Sequence, residues 1–282
     1  MDNKTRVDDG YIGKCYQWEN CFVMIPRHEY YETTFQGHNH VYYWNDINLK
    51  MQDVISLTIF DNLKVEETFP SIVYELRKLE YLRLPSHLMK QLDWAKLNHL
   101  KAFETTNAIL KIKESVCLPN LIHLCNYKGT TKFSSKSLPC LKSIICKYTD
   151  FVMDSLLNYQ IMDNIMFCNV NENICERLSL MKSIRKLDII SGKIKSISGI
   201  SQINGIEELH LSSLPYLSNA DELTDLPNLE ELCLNTCKSI RNWDFLLQLK
   251  SLKRLTVFNC NRNNSYAQIS KELRTKGIIG IY

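Results

Sequence analysis

The stretch "LPNLEELCLNTCKSI", Leu226 to Ile240, places apolar residues at Leu226, Leu229, Leu232, Leu234, Cys237 and Ile240, with polar residues in most of the gaps. Its centre, Leu232-Cys233-Leu234, alternates with the period of a strand, so Leu232 and Leu234 share one face and Cys233 takes the other. The wider spacings on either side belong to turns. So short a strand buries little by itself, which makes other copies of the pattern the first thing to seek.

The copies are present. "LKSLKRLTVFNCNRN" gives Leu249, Leu252, Leu255, Val257 and Cys260, and "INGIEELHLSSLPYL" gives Ile203, Ile206, Leu209, Leu211, Leu214 and Leu217. "MKSIRKLDIISGKI" supplies Met181, Ile184, Leu187 and Ile189. Weaker copies start at Tyr159, Leu138, Leu118, Leu97, Leu76 and Met51, which makes ten units at steps of 20 to 25 residues. In the weaker copies the fourth apolar position is polar at Thr105 and Asn126.

This motif resembles the leucine-rich repeat, L-x-x-L-x-L-x-x-N/C-x-L, over roughly residues 51–262. The resemblance implies an α/β leucine-rich-repeat solenoid, a horseshoe of about ten repeats with a parallel concave sheet. At the turn position the family uses asparagine to bond neighbouring backbone, and a buried cysteine can stand in, which accounts for Cys237 and Cys260. The convex returns read as short: "LSNADELTDLP" has Ser218 and Asn219 before a helical turn, "NWDFLLQL" is similar, and "GKIKSISGIS" is too broken for a helix and reads as 3₁₀ or extended.

An open solenoid needs covered ends. Residues 1–50 hold ten aromatics and read as a β-rich N-terminal cap, with "KCYQWENCFVMIP" as a hairpin turning at Glu19-Asn20 and "HVYYWNDI" as a further strand. Residues 263–282 read as a C-terminal cap, with a helix from Ser265 to Lys276, a stop at Gly277 and a closing strand. Residues 51–262 between them are the repeats.

Composition narrows the function. A formal charge of +3, from 34 basic and 31 acidic residues, argues against nucleic acid or anionic lipid as the main partner. No leader-like h-region opens the chain, no apolar run approaches a membrane span, and the eleven cysteines fall mostly within apolar repeats, so the expectation is a cytoplasmic chain with reduced thiols. Nucleotide-loop, nucleophile-elbow and H-E-x-x-H motifs are absent, and no cofactor is expected.

If each repeat strand points alternate side chains outward, three columns line the concave sheet. They carry Arg83, Lys147, Lys186 and Arg254 against Glu104, Asp188, Glu208 and Glu231, a mixture unsuited to a phosphate backbone. Cys125, Tyr127, Ile145, Met166, Cys168 and Ile190 make an apolar centre beside the acidic pair Glu208 and Glu231. Apolar centre and charged rim suit a protein interface. The expected partner-binding residues are therefore Tyr127, Ile145, Met166, Ile190, Asp188, Glu208, His210, Glu231 and Arg254. The resemblance implies a monomeric, non-enzymatic protein-binding module: an adaptor, a regulatory subunit or an inhibitor of the immunity type. The rival reading is an enzyme or metal-binding effector with its site in residues 1–50, using His28, His38, His40 or Cys15.

Overall fold

The computed structural model describes residues 55–59, 69, 71–261 and 263–281, together with the backbone of four short strands nearer the N-terminus. Two units, residues 1–141 and 142–282, are described in turn.

In the first unit β1 (Thr5–Arg6) pairs antiparallel with β2 (Gln17–Trp18). The main sheet holds β3 (Cys21–Ile25), β4 (His40–Tyr43), β5 (Ser56–Ile59), β6 (Tyr81–Arg83), β7 (Ala102–Thr106) and β9 (His123–Tyr127), all parallel, in the order β4-β3-β5-β6-β7-β9. The expected hairpin between Gln17–Trp18 and Cys21–Ile25 does not form: β2 pairs with β1, and β3 sits inside the parallel ladder. The run "CFVMI" has no apolar-polar alternation, and such a run suits a strand within a parallel sheet better than a hairpin arm. The turn residues Glu19 and Asn20 lie outside the described residues.

The register follows the repeat. Leu57, Leu82, Phe103 and Leu124 are consecutive partners in the ladder and all four are fully buried. Each buried leucine contributes about 2 kcal/mol relative to exposure. The leucines that precede each strand (Leu76, Leu79, Leu97, Leu100, Leu118 and Leu121) are buried too, and Trp94 packs edge-on to Phe103 with ring centroids 4.7 Å apart.

The polar residue at the fourth apolar position of the β9 repeat is a working part of the core. Asn126 is fully buried; its Oδ1 accepts from Ala108 N at 3.1 Å, and its Nδ2 donates to Ala108 O (3.1 Å), Thr130 O (3.2 Å) and Thr131 Oγ1 (3.0 Å). These bonds clamp the ends of β8 (Ile109–Lys111) and β10 (Thr130–Lys132), a small parallel sheet of its own. Gly129 gives the amide its space, since a Cβ there would lie 2.0 Å from Asn126 Oδ1.

The second unit holds β11 (Ser143–Lys147), β12 (Asn164–Val170), β13 (Lys186–Gly192), β14 (Glu208–Ser212), β15 (Glu231–Asn235), β16 (Arg254–Phe258) and β17 (Ile279–Ile281), again parallel and in sequence order. Two inward columns, Ile144-Ile165-Leu187-Leu209-Leu232-Leu255 and Cys146-Phe167-Ile189-Leu211-Leu234-Val257, are buried throughout. The returns are short: α1 (Asp150–Leu156), α2 (Cys175–Leu178), and 3₁₀ turns at Ile200–Gln202, Asp221–Asp225 and Asp244–Gln248. The side chains of Asn219 and Asn242 accept from the amides two residues on, Asp221 N at 2.8 Å and Asp244 N at 3.0 Å, which starts the last two turns.

The C-terminal segment folds as the sequence suggests. In α3 (Asn264–Thr275) the first turn is capped by Asn263, whose Oδ1 accepts from Tyr266 N at 3.2 Å. Gly277 ends the helix at φ 77°, and β17 follows. Tyr266, Ile269 and Leu273 are buried, with Tyr266 edge-on to the fully buried Trp243 at 5.0 Å between ring centroids.

Cysteine fills the expected turn position. Cys237 Sγ donates to Leu211 O at 3.4 Å, and Cys260 Sγ, in the same place one repeat later, donates to Leu234 O at 3.5 Å while accepting from Cys237 N at 3.4 Å. The nine described cysteines are free thiols. The exposed Cys117 and Cys140 should react with a maleimide in the native chain, while Cys125, Cys146, Cys168, Cys175 and Cys237 stay unlabelled until it unfolds. Mass spectrometry of labelled peptides checks this, and equal labelling of both groups would contradict the packing.

Among the described residues, seven non-glycine residues have a left-handed backbone: Asn107, Lys128, Asn169, Ser191, Ser213, Thr236 and Asn259, with φ from 51° to 65°. Each stands one place after the third outward position of its strand. All seven are polar, and Asn tolerates this conformation best of the non-glycine residues.

Candidate outward-face site

The ladder sets the outward columns within each unit. In the second unit the first is Ser143-Asn164-Lys186-Glu208-Glu231-Arg254, the second Ile145-Met166-Asp188-His210-Cys233-Thr256, and the third Lys147-Cys168-Ile190-Ser212-Asn235-Phe258. In the first unit Ser56-Tyr81-Ala102-His123 and Thr58-Arg83-Glu104-Cys125 run the same way. These are the columns expected from the repeat, in the weak copies as well as the strong ones.

Exposure differs from the expectation of an open groove along the whole sheet. Ser56, Thr58, Tyr81, Ala102, Glu104, His123 and Cys125 are buried, as are Ser143, Ile145, Cys168 and Asp188. Ile145 and Asp188 are each 1% exposed, so of the nine expected contact residues these two cannot meet a partner directly. The apolar centre is likewise reduced: Cys125, Ile145 and Cys168 are core, while Tyr127, Met166 and Ile190 keep partial exposure. The strands concerned, "AFETT", "HLCNY" and "SIICK", place Ala102, Cys125, Ser143 and Ile145 outward, short or apolar side chains that can be closed over, and bury Glu104 and His123 among them.

On the outward face of the first unit, Tyr81 Oη donates to Glu104 Oε2 at 2.9 Å, and His123 Nε2 lies 3.6 Å from Glu104 Oε1. Burial, reinforced by the Glu104 carboxylate, holds the Tyr81 phenol well above its usual range. This cluster is closed to solvent.

The face of the second unit from β13 to β16 is half-exposed and wired by charge. Lys186 Nζ meets Glu208 Oε2 at 2.9 Å; Arg254 donates to Glu231 Oε2 through Nε at 2.7 Å and lies within 2.6 Å of it through Nη2. His210 stands between two carboxylates, with Nδ1 2.7 Å from Asp188 Oδ1 and Nε2 3.5 Å from Glu231 Oε1. Every one of these contacts joins neighbouring strands. Burial works against the charged form of His210, but Asp188 and then Glu231 outweigh burial and the opposing Lys186, so its pKa lies above the ordinary value. For Glu231 burial raises the carboxyl, yet the Arg254 hydrogen bond and charge, with His210, bring it below the ordinary value. The structure thus unites five expected residues, Asp188, Glu208, His210, Glu231 and Arg254, in one charged cluster: Lys186–Glu208 beside Asp188–His210–Glu231–Arg254.

Two cysteines of the second unit, Cys233 on this face and Cys175 in the return helix α2, are poor nucleophiles. Cys233, the ladder partner of His210, has its pKa pushed up to about 11 by burial and by Asp188 and Glu231, and burial lifts Cys175 to about 12. Thiols so shifted are protonated at neutral pH. Among the described residues no group of three or more His, Cys, Asp or Glu side chains could hold a metal ion. The histidines and Cys15 of the rival reading lie outside the residues whose side chains are described.

Spacing missed a second polar cluster, in which Arg177 reaches Asp150, Asp154 and Tyr148, and Tyr148 Oη donates to Glu172 at 2.9 Å. Its members come from the two return helices α1 and α2 and from two loops, with no common period. A polar residue after the third outward position marks the left-handed turn at seven strand ends, a signal that does not extend to β11, where Tyr148 follows Lys147.

No family model matches the chain, and no curated protein matches it. Among solved structures, internalin C2 of Listeria monocytogenes is 17% identical over 59% of this chain and 73% of its own, with a TM-score of 0.41. An internalin of the same organism, inlF, is 15% identical over 71% of this chain and 60% of its own, at TM-score 0.48. A leucine-rich-repeat protein of Leptospira interrogans is 18% identical over 75% of this chain and 62% of its own, at TM-score 0.48. The chain thus spans less than two thirds of the length of the last two. No helix among the described residues is long and apolar enough to cross a membrane. With four repeat strands in the first unit and six in the second, each set in parallel register at the repeat's own spacing, the chain carries the leucine-rich-repeat solenoid fold.

Proposed function

We propose that this chain is a non-enzymatic protein-binding module whose partner docks on the outward face of β12 to β16, working as an adaptor, a regulatory subunit or an inhibitor. The observation that carries this reading is the half-exposed charged cluster from Lys186 to Arg254, flanked by the partly exposed Met166 and Ile190 and by Phe258, which is 59% exposed. Side chains already held by ion pairs to the next strand lose little freedom on binding, which favours a rigid docking surface. Mixed charge around apolar patches suits a protein better than a polyanion. Free thiols within the core fit a monomer working in a reducing, cytoplasmic setting.

Affinity capture from native lysate tests the reading, with the wild-type chain set beside a Met166→Asp/Glu231→Arg variant whose circular dichroism and thermal unfolding match wild type. The expected result is a stoichiometric protein retained by wild type and reduced about a hundredfold with the variant, in line with loss of an interface anchor and a charge pair. Equal retention by both chains would remove this face from consideration.

A further inference from the structure

At the strand-exit end of the second unit lies an open depression of about 480 Å³, lined by Lys147, Asn169, Asn171, Ser191, Lys193 and Ser213, with Tyr216 at one wall. Its position follows from the repeat. Asn169, Ser191 and Ser213 are the left-handed residues of three successive turns, so their side chains recur at the strand spacing of roughly 4.8 Å. The row does not continue at β11, where the chain passes through Tyr148 to Thr149; the Thr149 side chain caps α1 by accepting from Val152 N at 3.2 Å.

The polar groups of this depression are unspent. None of the side chains of Lys147, Asn169, Asn171, Ser191, Lys193, Ser213 or Tyr216 makes a hydrogen bond or ion pair with another described residue. The charged cluster on the outward face is the opposite case, each cation there having its carboxylate. No carboxylate lines the depression, so two ammonium groups face a pocket whose remaining polar atoms are amides and hydroxyls, able to donate to an oxyanion. Tyr216, 54% exposed, offers a flat apolar face beside them.

We propose that this depression binds a phosphomonoester, with Lys147 and Lys193 as its two countercharges and the Asn and Ser side chains as neutral donors. A phosphomonoester carries close to two negative charges at neutral pH and three acceptor oxygens, which matches the two lysines and the surplus of donors. The volume leaves room for the group that carries the phosphate, against the ring of Tyr216. The bearer is either a phosphorylated side chain or a free phosphorylated metabolite; the pocket chemistry is common to both. The site does not depend on the protein-docking reading.

Isothermal titration calorimetry of the full chain with O-phosphoserine, glucose 6-phosphate and an acetylated phosphoseryl tripeptide tests the proposal. At low salt the expected result is saturable binding of at least one of them with Kd of about 1 mM or below, weakening as salt rises. Lys147→Ala/Lys193→Ala should lower the affinity by at least about tenfold, while Lys238→Ala/Lys250→Ala, which removes the same charge away from the depression, should leave it unchanged. Preference for the tripeptide identifies a phosphoprotein as the source, and preference for a free ester identifies a metabolite; either supports the pocket. Absence of saturable heat with all three ligands up to about 20 mM, or an equal loss in both double variants, would overturn it.

Discussion

Asn126→Leu is expected to lower the free energy of unfolding by about 3 kcal/mol, the cost of leaving buried donors and acceptors without partners. The leucine is close in size, so packing is nearly preserved and the loss isolates the polar role. It leaves Ala108 N–H without its acceptor and removes the amide that serves the buried Thr131 Oγ1 and the half-buried Thr130 O. Urea unfolding should show a lower midpoint with unchanged slope. Gly129→Ala is the companion variant, for its methyl would displace the Asn126 amide from the same place. A loss below about 1 kcal/mol for Asn126→Leu would mean that the clamp contributes no more than an ordinary exposed hydrogen bond.

His210→Gln should cost about 2 kcal/mol near pH 6, because Asp188 is then left almost fully buried without its cation. The effect must depend on pH, and its sign follows from the raised pKa of His210. A group whose folded pKa exceeds its ordinary value, about 6.5 for histidine, contributes stability that is complete below that value and lost as pH rises through the folded one. The gap between wild type and variant should therefore be widest at pH 6 and narrow by pH 9. Lys186, Asp188, Glu208, Glu231, Cys233 and Arg254 surround the imidazole and are common to both chains. The lowered pKa of Glu231 acts at the acid end, where stability is lost as pH falls through it. Unfolding curves at the two pH values decide the matter, and an equal gap at both would show that the imidazole works as a neutral spacer.

The repeat made most of the fold legible. An L-x-L triplet recurring at 20 to 25 residues states both strand position and register, because a slip of one residue would turn Leu209 and Leu211 outward and Glu208 and His210 inward. The end of the last helix was legible where local chemistry is strong, at Gly277, whereas its Asn263 cap was not singled out. The pairing of Cys21–Ile25 was not legible, since a short apolar strand carries no mark of which neighbour it takes. For the site, spacing told direction but not cover: Glu208, Glu231 and Arg254 point outward and stay accessible, whereas Ile145 and Asp188 point outward and are closed over. Accessibility depends on side chains from other repeats, and a pattern local to one repeat does not contain it. Asn126 shows the reverse case, a residue that breaks the apolar pattern because its partners, Ala108 and Thr131, are recognisable only once the chain has turned.

The uniform spacing of strand partners also governs how the chain can fold. Neighbouring repeat strands are joined by short returns of similar length, so the entropy lost in closing each connection is nearly the same from one repeat to the next and does not grow with the number of repeats. Order can start in any well-formed pair and spread to the adjoining repeat, each addition resting on the surface left by the one before. Within the second unit, the regular copies from β13 to β16 are the natural place for that start, and the same strands carry the charged face.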